Sequence, residues 1–107
     1  MSTEQATKTE QAMEVGTVLC AVWGYSATLV TFYEVVAATA KMVTVRRIAA
    51  RYTEDGGKVP QPGTFVGEET YKRRVMPGSR HSSPYVKVTD SQWAHVWNGS
   101  PGYETSD

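Results

Sequence analysis

Apolar residues occupy both alternating faces of the stretch from Val15 to Trp23, and this pattern predicts a β-strand buried on both sides. One face holds Val15, Thr17, Leu19, Ala21 and Trp23, and the other holds Gly16, Val18, Cys20 and Val22. A strand of this kind belongs in the middle of a sheet. Within it, Cys20 is expected to be a small buried side chain rather than a nucleophile, because no nearby histidine or helix start would lower its pKa.

Two more strands are predicted directly after the first. The segment 24–28 supplies a turn, and 29–37 is dense in β-branched and aromatic residues, which favour strands. A second turn at 38–41 leads into a third strand, 42–48. Alanines in 29–52 leave a single long helix as the rival interpretation, but the β-branched density favours a three-stranded β-meander.

The second half of the chain is punctuated by glycine and proline. Residues 53–70 contain Gly56-Gly57, Pro60 and Pro62-Gly63, which predict a long loop. A fourth strand is predicted at 71–76 and a fifth at 85–88, with a second loop at 77–84 between them. Thr89-Asp90-Ser91-Gln92 has the form of a capping box, so a short helical turn is expected at 90–95. Asn98-Gly99 either caps this helix or makes a tight hairpin turn.

The predicted fold class is mainly β. We expect a small, strongly bent antiparallel sheet, or an SH3-like or OB-like barrel, of about five strands with a short C-terminal helical turn. Residues 1–13 are polar and unpatterned and are predicted to form a flexible N-terminal tail. Residues 14–103 are expected to form a single β-rich domain, and 104–107 a frayed C-terminal tail.

The charge of the chain is uneven although its net value is zero. Residues 41–87 hold ten lysines and arginines against four acidic residues, a net charge of +6, and the segments on either side are acidic. A basic stretch with apolar neighbours suits a nucleic-acid backbone or an acidic protein surface. The candidate basic patch consists of Arg46, Arg47, Arg51, Lys72, Arg73 and Arg74.

The aromatic residues around the first turn form the second candidate. A domain of this size needs large side chains in its core, so Trp23, Phe32 and one of the late tryptophans are predicted to be buried. Tyr25 and Tyr33 are then expected to point outward. The candidate interaction surface is Tyr25, Ser26, Thr28 and Tyr33.

The chain has few side chains that suit catalysis or metal binding, so the sequence predicts no enzyme, no metal site and no cofactor. There is one cysteine, and the two histidines, His81 and His95, have no carboxylate at a familiar spacing. One cysteine excludes an intramolecular disulfide and fits a reducing compartment. The polar start predicts no signal peptide, and no apolar run approaches the ~20 residues of a membrane span.

Several segments follow one another in a distinctive order: Trp23-Gly24-Tyr25 with Thr28, then Phe32-Tyr33-Glu34-Val35-Val36, then Lys41, Val43-Thr44-Val45-Arg46 and Ile48, then Pro62-Gly63, Arg73-Arg74-Val75 and Trp97-Asn98-Gly99-Ser100-Pro101. In these segments the chain resembles a family of small bacteriophage and prophage proteins that has no established activity. The resemblance covers roughly residues 15–103. The family has polar Asp-Gln and Asn residues in the first turn, where this chain has Ser26-Ala27 and Leu29.

The resemblance implies a phage origin. The resulting hypothesis is a phage-encoded, non-enzymatic binding protein of the host cytoplasm that acts on a host or phage protein. The alternative is nucleic-acid binding through the basic strands. A third hypothesis is a virion or assembly component that forms homo-oligomers.

Overall fold

The structure, a computed structural model, describes residues 13–24, 27–78 and 84–106, and in these ranges the chain forms β-strands and no helix. The mainly β prediction is therefore confirmed. The strands are β1 (Val18–Trp23), β2 (Ala27–Ala38), β3 (Met42–Tyr52), β4 (Lys58–Arg74), β5 (Tyr85–Lys87), β6 (Trp93–Val96) and β7 (Thr105–Ser106).

Six of these strands form one antiparallel sheet in the order β4-β3-β2-β1-β6-β5, and β7 pairs with the start of β2. The strands β1 to β3 form the predicted meander, because β-branched and aromatic residues fill them and short turns join them. The β5–β6 hairpin then adds to the free edge of β1. β1 is thus a central strand, as predicted, but it is not buried on both sides, because Val22 on its outer face is 60% exposed.

Each face of the sheet has its own apolar cluster. The inner cluster has ten buried members, namely Met13, Leu19, Ala21, Tyr33, Val35, Val43, Val45, Val86, Val88 and Ala94. The outer cluster consists of Val30, Phe32 and Ile48, with Trp97 packed against it. Side chains alternate between faces with a period of two, which is why neighbours such as Phe32 and Tyr33 enter different clusters. Met13, the last residue of the predicted flexible tail, is 5% exposed.

The sheet curls so far that its two ends meet, but it is not a closed barrel. Met76, just after β4, makes an isolated antiparallel bridge with Tyr85 in β5. Beyond this bridge the Arg73 guanidinium donates through Nε and Nη2 to the Val88 carbonyl oxygen, at 3.2 and 3.0 Å. Across the described residues, this seam is joined by one bridge and one side chain rather than by a continuous ladder. Of the two predicted architectures, the structure therefore shows the bent antiparallel sheet and not the barrel.

The segment 53–70 is not the predicted loop, because most of it belongs to the long edge strand β4. The register passes from Arg46↔Thr70 to Ile48↔Phe65 and then to Ala50↔Pro60, so β4 bulges twice against a regular β3. The bulges contain Gly63 and Gly67, whose φ angles of 82° and 71° suit glycine. An edge strand tolerates prolines because one side of its backbone needs no hydrogen-bond partner.

The predicted helical turn at 90–95 is wrong. Residues 88–92 instead form the tight turn of the β5–β6 hairpin, in which Gln92 N donates to the Thr89 carbonyl and Val88 N to the Gln92 carbonyl. Trp93–Val96 is a strand. The Thr89 hydroxyl accepts a bond from Ser91 N, so a residue that looked like a helix cap serves a turn.

Asn98-Gly99 neither caps a helix nor closes a hairpin. It turns the chain from the end of β6 across the outer face of the sheet, with Gly99 at a φ of 92°. The Asn98 side chain accepts a bond from Ser100 N, and Trp97 Nε1 donates to the Ser100 carbonyl. The Trp97 ring then stands edge-on to Phe32 with a centroid distance of 6.3 Å, so Trp97 is the late tryptophan that packs in the core.

Residues 97–106, here called the C-terminal strap, cover the outer cluster. Gly102 lies so close to Val30 that an added Cβ would be 3.0 Å from its Cγ1. The Glu104 carboxylate accepts bonds from Val30 N at 2.9 Å and from Lys58 Nζ at 3.0 Å. Glu104 and β7 therefore belong to the folded body rather than to a frayed tail, and Asp107 lies outside the described residues.

Candidate functional site

Of the four residues in the predicted interaction surface, the structure describes Thr28 and Tyr33, and Tyr33 does not point outward as predicted. Tyr33 is 3% exposed, because its place in the register opposite Leu19 and Arg47 turns its ring into the inner cluster. Its hydroxyl donates to the Gln92 side-chain oxygen at 2.6 Å, and burial raises the Tyr33 pKa to about 12. Thr28 is half-buried and pairs with Thr105 of β7. Tyr25 and Ser26 lie outside the described residues.

The predicted basic patch is divided between the two faces of the sheet. The inner face of the sheet, which holds Val43 and Val45, also holds three of these cations. They are Arg47, Arg51 and Arg73. Arg46, Lys72 and Arg74 point to the opposite, outer face. The six cations come from two short segments, 46–51 and 72–74. They do not make one surface, since neighbouring strand residues point in opposite directions.

Two of the six cations are used inside the fold. Arg46 donates through Nε and Nη2 to the Gly67 carbonyl oxygen, at 3.1 and 2.5 Å, and its guanidinium lies 4.7 Å from the centroid of the Phe65 ring. It thereby holds the second bulge of β4. Arg73 bonds Val88 across the seam. Lys72 and Arg74 remain exposed.

The outer face of the β5–β6 hairpin carries an aromatic group that the sequence analysis did not single out. Tyr85 stacks on Trp93 with ring centroids 5.3 Å apart and planes within 7°, and His95 lies against Tyr85 at 5.1 Å. Trp93 is nevertheless 47% exposed. The alternation of side chains along β5 and β6 predicts this group. Because Val86, Val88 and Ala94 point inward, the residues beside them in the chain must point outward.

An exposed apolar residue extends this aromatic group onto the central strand. Cys20 pairs with His95 and Ala21 with Ala94, so at the next position along the ladder Val22 comes into line with Trp93. Val22 is 60% exposed. The outer face therefore presents an apolar area across β5, β6 and β1.

Cations from the far end of the sheet reach the same area because the sheet curls. The Met76–Tyr85 bridge, continued by two residues, brings Arg74 opposite Lys87, and the contact between Arg73 and Val88 fits this register. The Lys87 ammonium lies 5.7 Å from the centroid of the Trp93 ring. We call this combined area the seam surface; it consists of Lys72, Arg74, Tyr85, Lys87 and Trp93.

A groove opens at one end of the seam surface. It has a volume of about 230 Å³ and is lined by Ala40, Lys41, Arg74, Val75 and Pro77. Val75 N donates to the Lys41 carbonyl at 2.9 Å, so the β2–β3 turn and the end of β4 hold the groove together. Two cationic side chains thus flank a partly apolar depression.

The candidates for reactive chemistry among the described residues are the Cys20 thiol and the side chains that can ligate a metal. Burial raises the pKa of the Cys20 thiol, and nearby Lys58 offsets only part of the shift, which is the wrong direction for an activated nucleophile. Within 13–24, 27–78 and 84–106, no three His, Cys, Asp or Glu side chains gather as metal ligands. These same ranges hold no helix of the length and apolarity that a membrane crossing needs.

Comparison with known proteins adds no family: no family model, no curated protein and no solved structure matches this chain.

Proposed function

We propose that this chain is a small non-enzymatic binding protein that acts by docking on another protein through the seam surface and Val22. The observation that carries the proposal is the Tyr85–Trp93 stack, in which a large aromatic side chain stays 47% exposed beside a valine that is 60% exposed. Tryptophan and tyrosine are the residues that most often dominate protein interfaces. An exposed apolar area rimmed by polar groups is typical of such an interface.

A protein partner is favoured over nucleic acid by two features. The basic residues lie on two faces, and Arg46 and Arg73 already bond backbone carbonyls, so no continuous cationic track follows the sheet. The zero net charge points the same way.

The resemblance of residues 15–103 to small phage and prophage proteins supports a phage origin. A phage-encoded binding protein would meet its partner in the host cytoplasm, and this partner would be a host or a phage protein. The single thiol, Cys20, is compatible with a reducing compartment.

The test is capture of a bacterial protein on the immobilised chain, with Trp93→Ala as the variant. Removal of a central interface tryptophan costs about 2 kcal/mol, or about 30-fold in Kd, so we expect Trp93→Ala to lose a protein that the parent chain retains. Tyr52→Ala is the matched control, because Tyr52 is 64% exposed and lies outside the seam surface.

Circular dichroism establishes that both variants fold. Equal retention by the parent and by folded Trp93→Ala would contradict the proposal, and so would the absence of any protein retained by the parent.

A further inference from the structure

The seam surface carries more positive charge than its surroundings neutralise. Residues 71–78 and 84–97 contain four lysines and arginines and one acidic residue, Asp90. Among the described residues, the only ion pair joins Lys58 to Glu104 of the C-terminal strap, and neither residue belongs to the seam surface. Lys72, Arg74 and Lys87 are exposed, and no described carboxylate pairs with them.

The fold brings two of these cations to facing edges of the seam. The register continued from the Met76–Tyr85 bridge sets Arg74 across the seam from Lys87, and like charges that face each other across a sheet repel. The seam also lacks ladder hydrogen bonds at this step, where the Arg73 guanidinium takes their place. An anion between Arg74 and Lys87 would convert this repulsion into two favourable contacts.

From this arrangement we infer that the partner presents an acidic segment to the seam surface, with an apolar residue on Trp93 and carboxylates on Arg74 and Lys87. This inference rests on the proposed function and specifies the chemistry of its partner. An arginine binds a carboxylate through two parallel hydrogen bonds. The 230 Å³ groove between Lys41 and Arg74 accommodates a further acidic side chain.

An acidic protein segment fits this surface better than a nucleic acid does. The cations lie only at the β4–β5 edge of the seam surface. On its other side, β1 presents the exposed apolar side chain of Val22. A phosphate backbone would need cations along its whole path. A peptide needs only a few carboxylates beside an apolar anchor.

The first experiment titrates the isotope-labelled chain with decaglutamate and, separately, with a thymidine decanucleotide, and follows the amide and indole NMR signals. We expect decaglutamate to shift the signals of Lys72, Arg74, Lys87 and the Trp93 indole, and to bind about tenfold more weakly when salt rises from about 50 to about 200 mM. Tighter binding of the decanucleotide would overturn the inference in favour of nucleic acid. Absence of localised shifts with decaglutamate would overturn it outright.

The second experiment separates this inference from the proposed function. In the capture assay, the double variant Arg74→Glu and Lys87→Glu should bind the partner at least about tenfold more weakly than the parent chain does. Arg51→Glu, an exposed arginine on the other face, should not.

If the double charge reversal retains the partner while Trp93→Ala loses it, the acidic partner is excluded and the docking function stands. If Trp93→Ala also retains the partner, the docking function itself fails.

Discussion

The inner and outer clusters are built from the same strands but are stabilised in different ways. The inner cluster has ten buried members drawn from most of the sheet, and the curl of the sheet itself closes it. The outer cluster has three buried members and depends on the C-terminal strap for its cover. Val30 lies beyond Phe32↔Ile48, where the pairing of β2 with β3 ends. Its backbone instead bonds two side chains: Val30 N donates to Glu104, and Lys58 donates to the Val30 carbonyl.

This difference separates two sources of stability in one small sheet. Packing inside the curl depends on volume and on the absence of cavities. The cover of the outer cluster depends on a carboxylate, an ammonium group and a glycine without a side chain. The inner cluster should therefore respond mainly to truncation, and the outer cluster should respond to pH.

The largest expected effect is at the inner cluster. Leu19 is fully buried, so Leu19→Ala removes packed methyl groups and leaves a cavity. We expect the free energy of unfolding to fall by about 3 kcal/mol, measured by urea denaturation.

The matched control is Val22→Ala on the same strand, which points outward. It should stay within about 0.5 kcal/mol of the parent chain. Similar losses for Leu19→Ala and Val22→Ala would contradict the assignment of the two faces.

The next largest effect concerns the strap. Glu104→Gln replaces the carboxylate that accepts bonds from Val30 N and Lys58 Nζ. Because bonds to a charged group are stronger than neutral ones, we expect a loss of about 1.5 kcal/mol at neutral pH. Glu54→Gln in the exposed β3–β4 turn is the control and should have little effect.

The loss from Glu104→Gln should depend on pH in a defined direction. The bonds from Val30 and Lys58 lower the pKa of Glu104, so its carboxylate stabilises the folded chain fully above the ordinary glutamate pKa. The stabilisation is lost as pH falls through the lowered pKa. The stability difference between the parent chain and Glu104→Gln should shrink on acidification, and a constant difference would contradict the role of this carboxylate.

The smallest effect is at Tyr33, which joins packing and hydrogen bonding within the inner cluster. Tyr33→Phe keeps the ring but removes the donor to Gln92, so we expect a loss of about 1 kcal/mol. The raised pKa makes this contribution complete below the ordinary tyrosine pKa and lost as pH rises through about 12. Ultraviolet titration should show a tyrosine that ionises only near pH 12, and this step should be missing in Tyr33→Phe.

The meander was predictable because β-branched residues fill β2 and β3 and outweigh the alanines. The direction in which Tyr33 points was not, since both faces of β2 are apolar and either assignment satisfies the alternation. The register with β1 and β3 decides it. A pattern that marks one strand does not contain the pairing that orients it.

β4 and the late turn were mispredicted for opposite reasons. Pro60, Pro62 and Gly63 mark a loop in most sequences, and only the position of β4 at the edge of the sheet makes them compatible with a strand. Thr89 and Gln92 match a helix start locally, but the pairing of Lys87 with Trp93 keeps this segment a hairpin. The seam surface was missed because its cations and aromatics come from 71–76 and 85–93, which only the curl of the sheet brings together.

The strap also has a consequence for synthesis of the protein. Glu104 and Val30, which bond each other, are 74 residues apart in the chain. The second edge of β1 also stays unpaired until β6 has been synthesised. A ribosome releases the meander first, so the nascent chain carries an open strand edge and an uncovered Phe32 until residues 93–104 emerge. Sheets with such distant pairings fold slowly, and their exposed intermediates aggregate. Production of this protein should therefore depend on how quickly residues 93–104 follow the meander and on the chaperones that bind the incomplete sheet.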